Sequence, residues 1–110
     1  MTLEEIKSDI TSELAIELKN EEGFDRDILE VKVKGAIREV KAARKYPNSY
    51  SEAMIEADMT GYYTQIKAIA LYDYVKIGAE GQNNYSADGE NIQYSDRNEL
   101  FYGILPIARV

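Results

Sequence analysis

Between Ile66 and Ile77 the chain is apolar on most sides of a helix: Ile66, Ala68, Ile69, Ala70, Leu71, Tyr72, Tyr74, Val75 and Ile77 leave a narrow polar strip through Asp58, Gln65, Asp73 and Lys76, with Lys67 isolated opposite. A helix this apolar has to be covered from several directions. The pattern predicts one long helix over about 51–77, roughly 40 Å at 1.5 Å per residue, with Glu52 and Glu56 early and Lys76 at its end. Gly61, in its middle, is a candidate for a bend or a close helix contact. Two short helices do not cover so broad a surface, so both the C-terminal segment and neighbouring subunits are expected to pack on it.

Two amphipathic stretches precede it. Leu3, Ile6, Ile10, Leu14 and Leu18 follow steps of three and four and predict a helix over about 2–19, with Thr2 as N-cap and Glu5 as its capping-box partner. Asn20, Glu21, Glu22 and Gly23 read as a connection, Gly23 supplying the left-handed backbone often needed beyond a helix end. Leu29, Val33, Ala36, Ile37, Val40 and Ala43 predict a second helix over about 26–45, with Asp27 and Glu30 as its capping pattern. Lys41, Arg44 and Lys45 fall in its last turn, where the helix dipole favours cations. Tyr46-Pro47-Asn48-Ser49 ends it, and the two helices are expected to pair antiparallel.

After Gly78 the period changes. Asp88-Gly89 suits a two-residue type I′ turn that pairs Tyr85 near Ile92 and puts both on one face with Tyr94, so 81–94 is read as a β-hairpin or extended arm. A lone hairpin is marginal in water, which directs this face towards a partner surface. Ser95 or Asp96 then caps a short helix over about 96–105, with Leu100, Phe101 and Ile104 as its apolar side, before Pro106. The fold class is mainly α: a single domain over 1–110, a three-helix unit with a long central helix, the hairpin or arm and a short C-terminal helix.

Composition removes several functions. The chain has 110 residues, enough to bury about two thirds of its unfolded surface in one core. Its 20 acidic and 13 basic residues give a net charge of -7, which repels phosphate backbones and anionic membranes. The absence of Cys and His removes disulfides, thiolate ligation and the commonest general base, and fits a cytoplasmic origin. No leader pattern opens the sequence and no apolar run approaches a bilayer span, so a soluble protein is expected. Paired carboxylates such as Glu4-Glu5 and Glu21-Glu22 sit where solvated faces and turns carry charge, and no nucleophile with a nearby base or phosphate-cradling loop is visible. The expectation is no catalytic residues, no metal and no cofactor. Nine tyrosines without a tryptophan point instead to interfaces, where a large apolar ring with a water-tolerant hydroxyl is favoured.

The run Leu71-Tyr72-Asp73-Tyr74, Ile77-Gly78-Ala79-Glu80-Gly81-Gln82, Asp88-Gly89, Tyr94, Asp96-Arg97, Leu100-Phe101, Ile104, Pro106 and Ala108-Arg109 resembles tailed-phage head-tail connector (adaptor) proteins of the long-tailed phage type. The match covers roughly the last 40 residues, and the preceding helices agree with that family in order and length. The resemblance implies a non-enzymatic structural virion protein at the head-tail junction, made in the host cytoplasm. Its subunits would form a dodecameric ring that binds the portal protein and a neighbouring connector or tail-completion protein. DNA would pass through the channel without specific binding, and no membrane is involved. Similar proteins often place an Arg on the second hairpin strand; this chain has Ile92 and Gln93 there, so no charge contact is carried over.

The expected interface residues are Tyr72, Tyr74, Gly81, Tyr85, Ile92, Tyr94, Phe101 and Arg109. The alternative is a small acidic host-directed binding or inhibitor protein that mimics DNA with rows of carboxylates. Alternation of acids with Lys and Arg on the first two helices disfavours it.

Overall fold

The computed structural model describes residues 1–78, 84–87 and 90–107. The described residues are mainly helical: α1 (Leu3–Leu18), α2 (Arg26–Arg44), α3 (Glu52–Thr60) and α4 (Tyr63–Gly78), then β1 (Asn84–Ala87), β2 (Glu90–Gln93) and a 3-10 helix (Tyr94–Phe101).

Helix α1 starts as its sequence dictates. The Thr2 hydroxyl accepts from the Glu5 backbone N–H at 3.0 Å, and the Glu5 carboxylate accepts from the Thr2 N–H at 2.8 Å, so two of the orphan donors at the helix start are satisfied. Gly23 takes a φ of 78° in the connection to α2. The cap of α2 differs from the expected one. Asp25, not Asp27, receives the backbone N–H groups of Asp27 and Ile28, at 2.9 and 3.2 Å. Asp25 has the extended backbone a cap needs, with φ -132° and ψ 110°, whereas Asp27 already lies in the first turn.

The helices alternate in direction. Lys7 reaches Glu30 at 3.2 Å and Arg26 reaches Ser12 at 3.5 Å, so α1 and α2 run antiparallel. Tyr74, near the end of α4, meets the start of α2, and Arg44, at the end of α2, lies over the Tyr62 ring just before α4. Those contacts make α2 and α4 antiparallel as well. The core forms where their apolar faces converge: Ile6, Ile10, Leu14 and Leu18 from α1, Leu29, Val33, Ala36, Ile37 and Val40 from α2, and Ile66, Ile69 and Ala70 from α4. Removing a fully buried Ile or Leu side chain from such a core costs about 2–5 kcal/mol.

The single long helix expected over 51–77 is two helices. Gly61 and Tyr62 donate to Asp58 and Met59, at 3.0 and 2.9 Å, in tightened three-residue steps, and helical bonding resumes with Ile66 donating to Tyr62. Just before the break the Thr60 hydroxyl donates to the Glu56 carbonyl at 2.7 Å, a back-bond that tends to bend helices. The break lets Met59 reach the core and aims Asp58 at Arg44.

The short C-terminal helix expected over 96–105 is a 3-10 helix over Tyr94–Phe101, followed by a turn at Gly103, whose φ is 86°. This segment folds back onto the helices. Ile104 is buried in the core, Gln65 donates to the Tyr102 carbonyl at 3.1 Å, and Ile107 donates to the Arg44 carbonyl at 2.7 Å. Strands β1 and β2 pair antiparallel with Tyr85 opposite Ile92 and Ser86 opposite Asn91. The Asp88-Gly89 turn lies outside the described residues.

Candidate interface

The residues expected at an interface fall into three groups. Tyr72 is buried, at 5 % exposure, and presents almost no surface to a neighbour. Tyr74 and Phe101 are half-buried and already engaged within the subunit: the Tyr74 hydroxyl accepts from the Asp25 N–H at 2.9 Å while its ring tilts against Phe24, and Phe101 lies beneath the Arg97 guanidinium. Tyr85 and Ile92 are register partners in the strand pair, and Tyr94 opens the 3-10 helix. Gly81 and Arg109 lie outside the described residues.

Two arginine clamps fix the C-terminal segment. Arg97 donates through Nε and Nη2 to both oxygens of Asp73, each at 2.7 Å, and also reaches Glu39 at 2.7 and 3.3 Å. One guanidinium thereby joins the 3-10 helix to α4 and α2, and these carboxylates, Asp73 first, push its pKa up. Arg44 forks onto Asp58 at 2.8 and 2.9 Å and donates to the Leu105 carbonyl at 2.6 Å, while the Tyr46 hydroxyl donates to Asp58 at 2.6 Å. Burial alone would push the Asp58 pKa up, but the bonds from Arg44 and Tyr46 outweigh it and hold the carboxyl below its ordinary value. Burial, helped by Asp58, raises the Tyr46 hydroxyl well above its ordinary range.

A surface that per-helix reading of the sequence missed runs along α2. Lys34, Arg38 and Lys41 recur at steps of four and three, which puts them on one helical stripe; Lys45 follows at the C-cap, and all four are exposed. None has an ion pair among the described residues. Lys34 acts only weakly through space on Glu4, as the last of the causes that lower that carboxyl. A groove of about 310 Å³ beside Val31, Lys34, Arg38 and Asp73 flanks the stripe, and a wider one of about 590 Å³ is lined by Arg38, Lys41, Lys45, Tyr46, Tyr50 and Ile55. Val31, at 62 % exposure, adds an apolar side chain to the same face.

The outer side of α1 has the opposite sign. Glu5, Asp9, Glu13 and Glu17 recur every four residues and are exposed. Lys67 pairs with Glu13 at 3.1 Å and with Glu17 at 2.8 Å, and the Tyr63 hydroxyl donates to Glu13 at 2.7 Å. The Tyr63 bond, then Lys67, hold the Glu13 carboxyl below its ordinary value. Ile16, at 68 % exposure, stands among these acids.

Among the described residues no cluster of three or more acidic side chains is placed to hold a metal ion, and no helix is long and apolar enough to cross a membrane. No family model matches the chain, and comparison with curated proteins and with solved structures found no match.

Proposed function

We propose that the chain is a non-enzymatic structural virion protein, a head-tail connector (adaptor) subunit that assembles into a ring between portal and tail and continues the DNA channel. The Asp73 to Arg97 fork is the observation that carries this reading. Both residues belong to the run through which the chain resembles connector proteins, and their bond fastens the segment after residue 94 to α4. The stretch over 81–94 is thereby rooted at two points, at the end of α4 and at Arg97. In this reading it is a hairpin or extended arm that touches a neighbouring subunit or the portal through Gly81, Tyr85, Ile92 and Tyr94. Arg109 contributes from the tail, and Tyr72, Tyr74 and Phe101 support the surface from within the subunit. The net charge of -7 suits a channel wall along which DNA slides without being held.

Light scattering across a concentration series, with electron microscopy of any large species, tests the reading. Closed rings are expected, either from the purified chain or on addition of the portal protein of the same phage. A chain that stays monomeric alone and does not bind that portal overturns it. Tight one-to-one capture of a DNA-binding host protein would favour the acidic inhibitor alternative.

A further inference from the structure

We propose that the cation stripe Lys34, Arg38, Lys41 and Lys45 along α2 and its C-cap in one subunit docks against the acidic stripe Glu5, Asp9, Glu13 and Glu17 on α1 of a second copy of the chain. The inference rests on the ring reading and adds to it which faces meet.

Unpaired charge is the first argument. Among the described residues Lys7, Arg44, Lys67 and Arg97 each hold at least one carboxylate at 3.2 Å or less. The four cations of the α2 stripe hold none among the described residues, and side by side on one face they repel one another. Such a stripe is relieved by a surface of opposite charge.

Dimensions supply the second. At 1.5 Å per residue the stripe from Lys34 to Lys45 is about 16 Å long and the one from Glu5 to Glu17 about 18 Å. Against its four carboxylates the α1 stripe has one ion-paired cation among the described residues, Lys67, so it keeps an excess of negative charge. Each stripe also presents one strongly exposed apolar side chain, Val31 on α2 and Ile16 on α1, which gives a charged contact an apolar centre.

The stripes share no residue, so their contact is head-to-tail, the kind that closes into a ring when the rotation between copies allows it. Burying the cations at each junction also takes them away from a channel lining. Duplex DNA is the competing occupant of a lysine and arginine stripe, but the net charge of -7 opposes it and it offers the α1 acids no role.

Charge substitution on each face, separately and in a mixture, tests the proposal with the 110-residue chain. Lys34→Glu with Arg38→Glu cancels the net charge of the basic stripe, and Asp9→Lys with Ile16→Lys removes most of that of the acidic one. All four positions are exposed and have no ion pair among the described residues, so the circular dichroism of both variants should match the wild type. Sedimentation should show self-association of the wild type that weakens with added salt, and at least about a tenfold loss in each variant alone. An equimolar mixture of the two variants should regain pairwise association, because the unaltered acidic stripe of one then meets the unaltered basic stripe of the other. Rings that form unchanged from both variants overturn the inference while leaving the ring reading intact. A wild type that is monomeric at all concentrations in low salt also overturns it, with portal binding then deciding the ring reading separately. Duplex DNA binding that is lost with Lys34→Glu and Arg38→Glu, without any effect of the α1 changes on assembly, assigns the stripe to nucleic acid instead.

Discussion

Arg97 grips Asp73 with two parallel bonds of 2.7 Å, across 24 residues of sequence that include both strands. Two-point geometry of this kind depends on the planar guanidinium and is not reproduced by an ammonium. Arg97→Lys should therefore lose most of the clamp even though it keeps the charge. Arg97→Ala leaves the mostly buried Asp73 without its counter-ion, and the expected cost is about 2 kcal/mol in urea unfolding. Hydrogen exchange should speed up at residues 94–107 more than in α1. Uniform exchange across the chain would show that the clamp merely adds to global stability.

Thr11 is buried at 3 % exposure, and its hydroxyl has no hydrogen-bond partner among the described residues. Thr11→Val keeps the shape and removes the unsatisfied oxygen, so unfolding free energy should rise by about 1 kcal/mol. A destabilised Thr11→Val protein would mean that the hydroxyl has a partner, such as a bound water.

Lys45 closes α2 with a left-handed backbone, φ 51° and ψ 58°, a position usually given to glycine. Relief of that strain predicts that Lys45→Gly raises thermal stability by about 1 kcal/mol. The same change removes one charge from the α2 stripe, so self-association should weaken as stability rises. A gain in both would dissociate Lys45 from the interface.

Acid stability follows from Asp58 and Glu13. Both carboxyls have folded pKa values below their ordinary 3.8 and 4.5, so the unfolded chain binds protons more readily. Their contribution is complete above those ordinary values and is lost as pH falls through the folded ones. Tyr46 and Tyr63 set the other edge: their folded values lie above the ordinary 10.0, burial being the first cause in each, so stability is full below that pH and declines above it. Urea midpoints should therefore be flat near neutrality and fall at both ends. Asp58→Asn should lower the plateau and flatten the acid slope; an unchanged acid slope would remove Asp58 from the explanation.

Local patterns in the sequence carried the helical core well. The three and four spacing of Ile6, Ile10, Leu14 and Leu18 becomes the buried face of α1, and the α2 residues from Leu29 to Val40 behave likewise. The Thr2 and Glu5 capping box and the left-handed Gly23 are equally local, and both are present. What was hidden depends on partners far along the chain. Gly61, a candidate for a bend in the sequence, is where the helix breaks, but a lone mid-helix glycine does not by itself fix a break, because its cost is about 1 kcal/mol and a helix can absorb it. The turn after Thr60 instead accompanies long-range contacts, Asp58 to Arg44 and Met59 to the core. Arg97 finds Glu39 at a separation of 58 residues, which no periodicity encodes. The α2 stripe was legible in its spacing but concealed by another valid reason for some of its members: Lys41 and Lys45 also suit the dipole at the helix end.

The two outer parts of the described chain are tied to the same short helix. Near one end the Leu3 N–H donates to Glu56 at 3.3 Å and the Thr60 hydroxyl lies 3.4 Å from the Met1 carbonyl oxygen. Near the other, Leu105 and Ile107 bond to Arg44, which grips Asp58. Glu56, Asp58 and Thr60 all belong to the nine-residue α3. Tension applied to residues 1 and 107 would therefore load these α3 contacts together with α1 and α2. That small helix links the two outer parts of the described chain to each other as well as to the core.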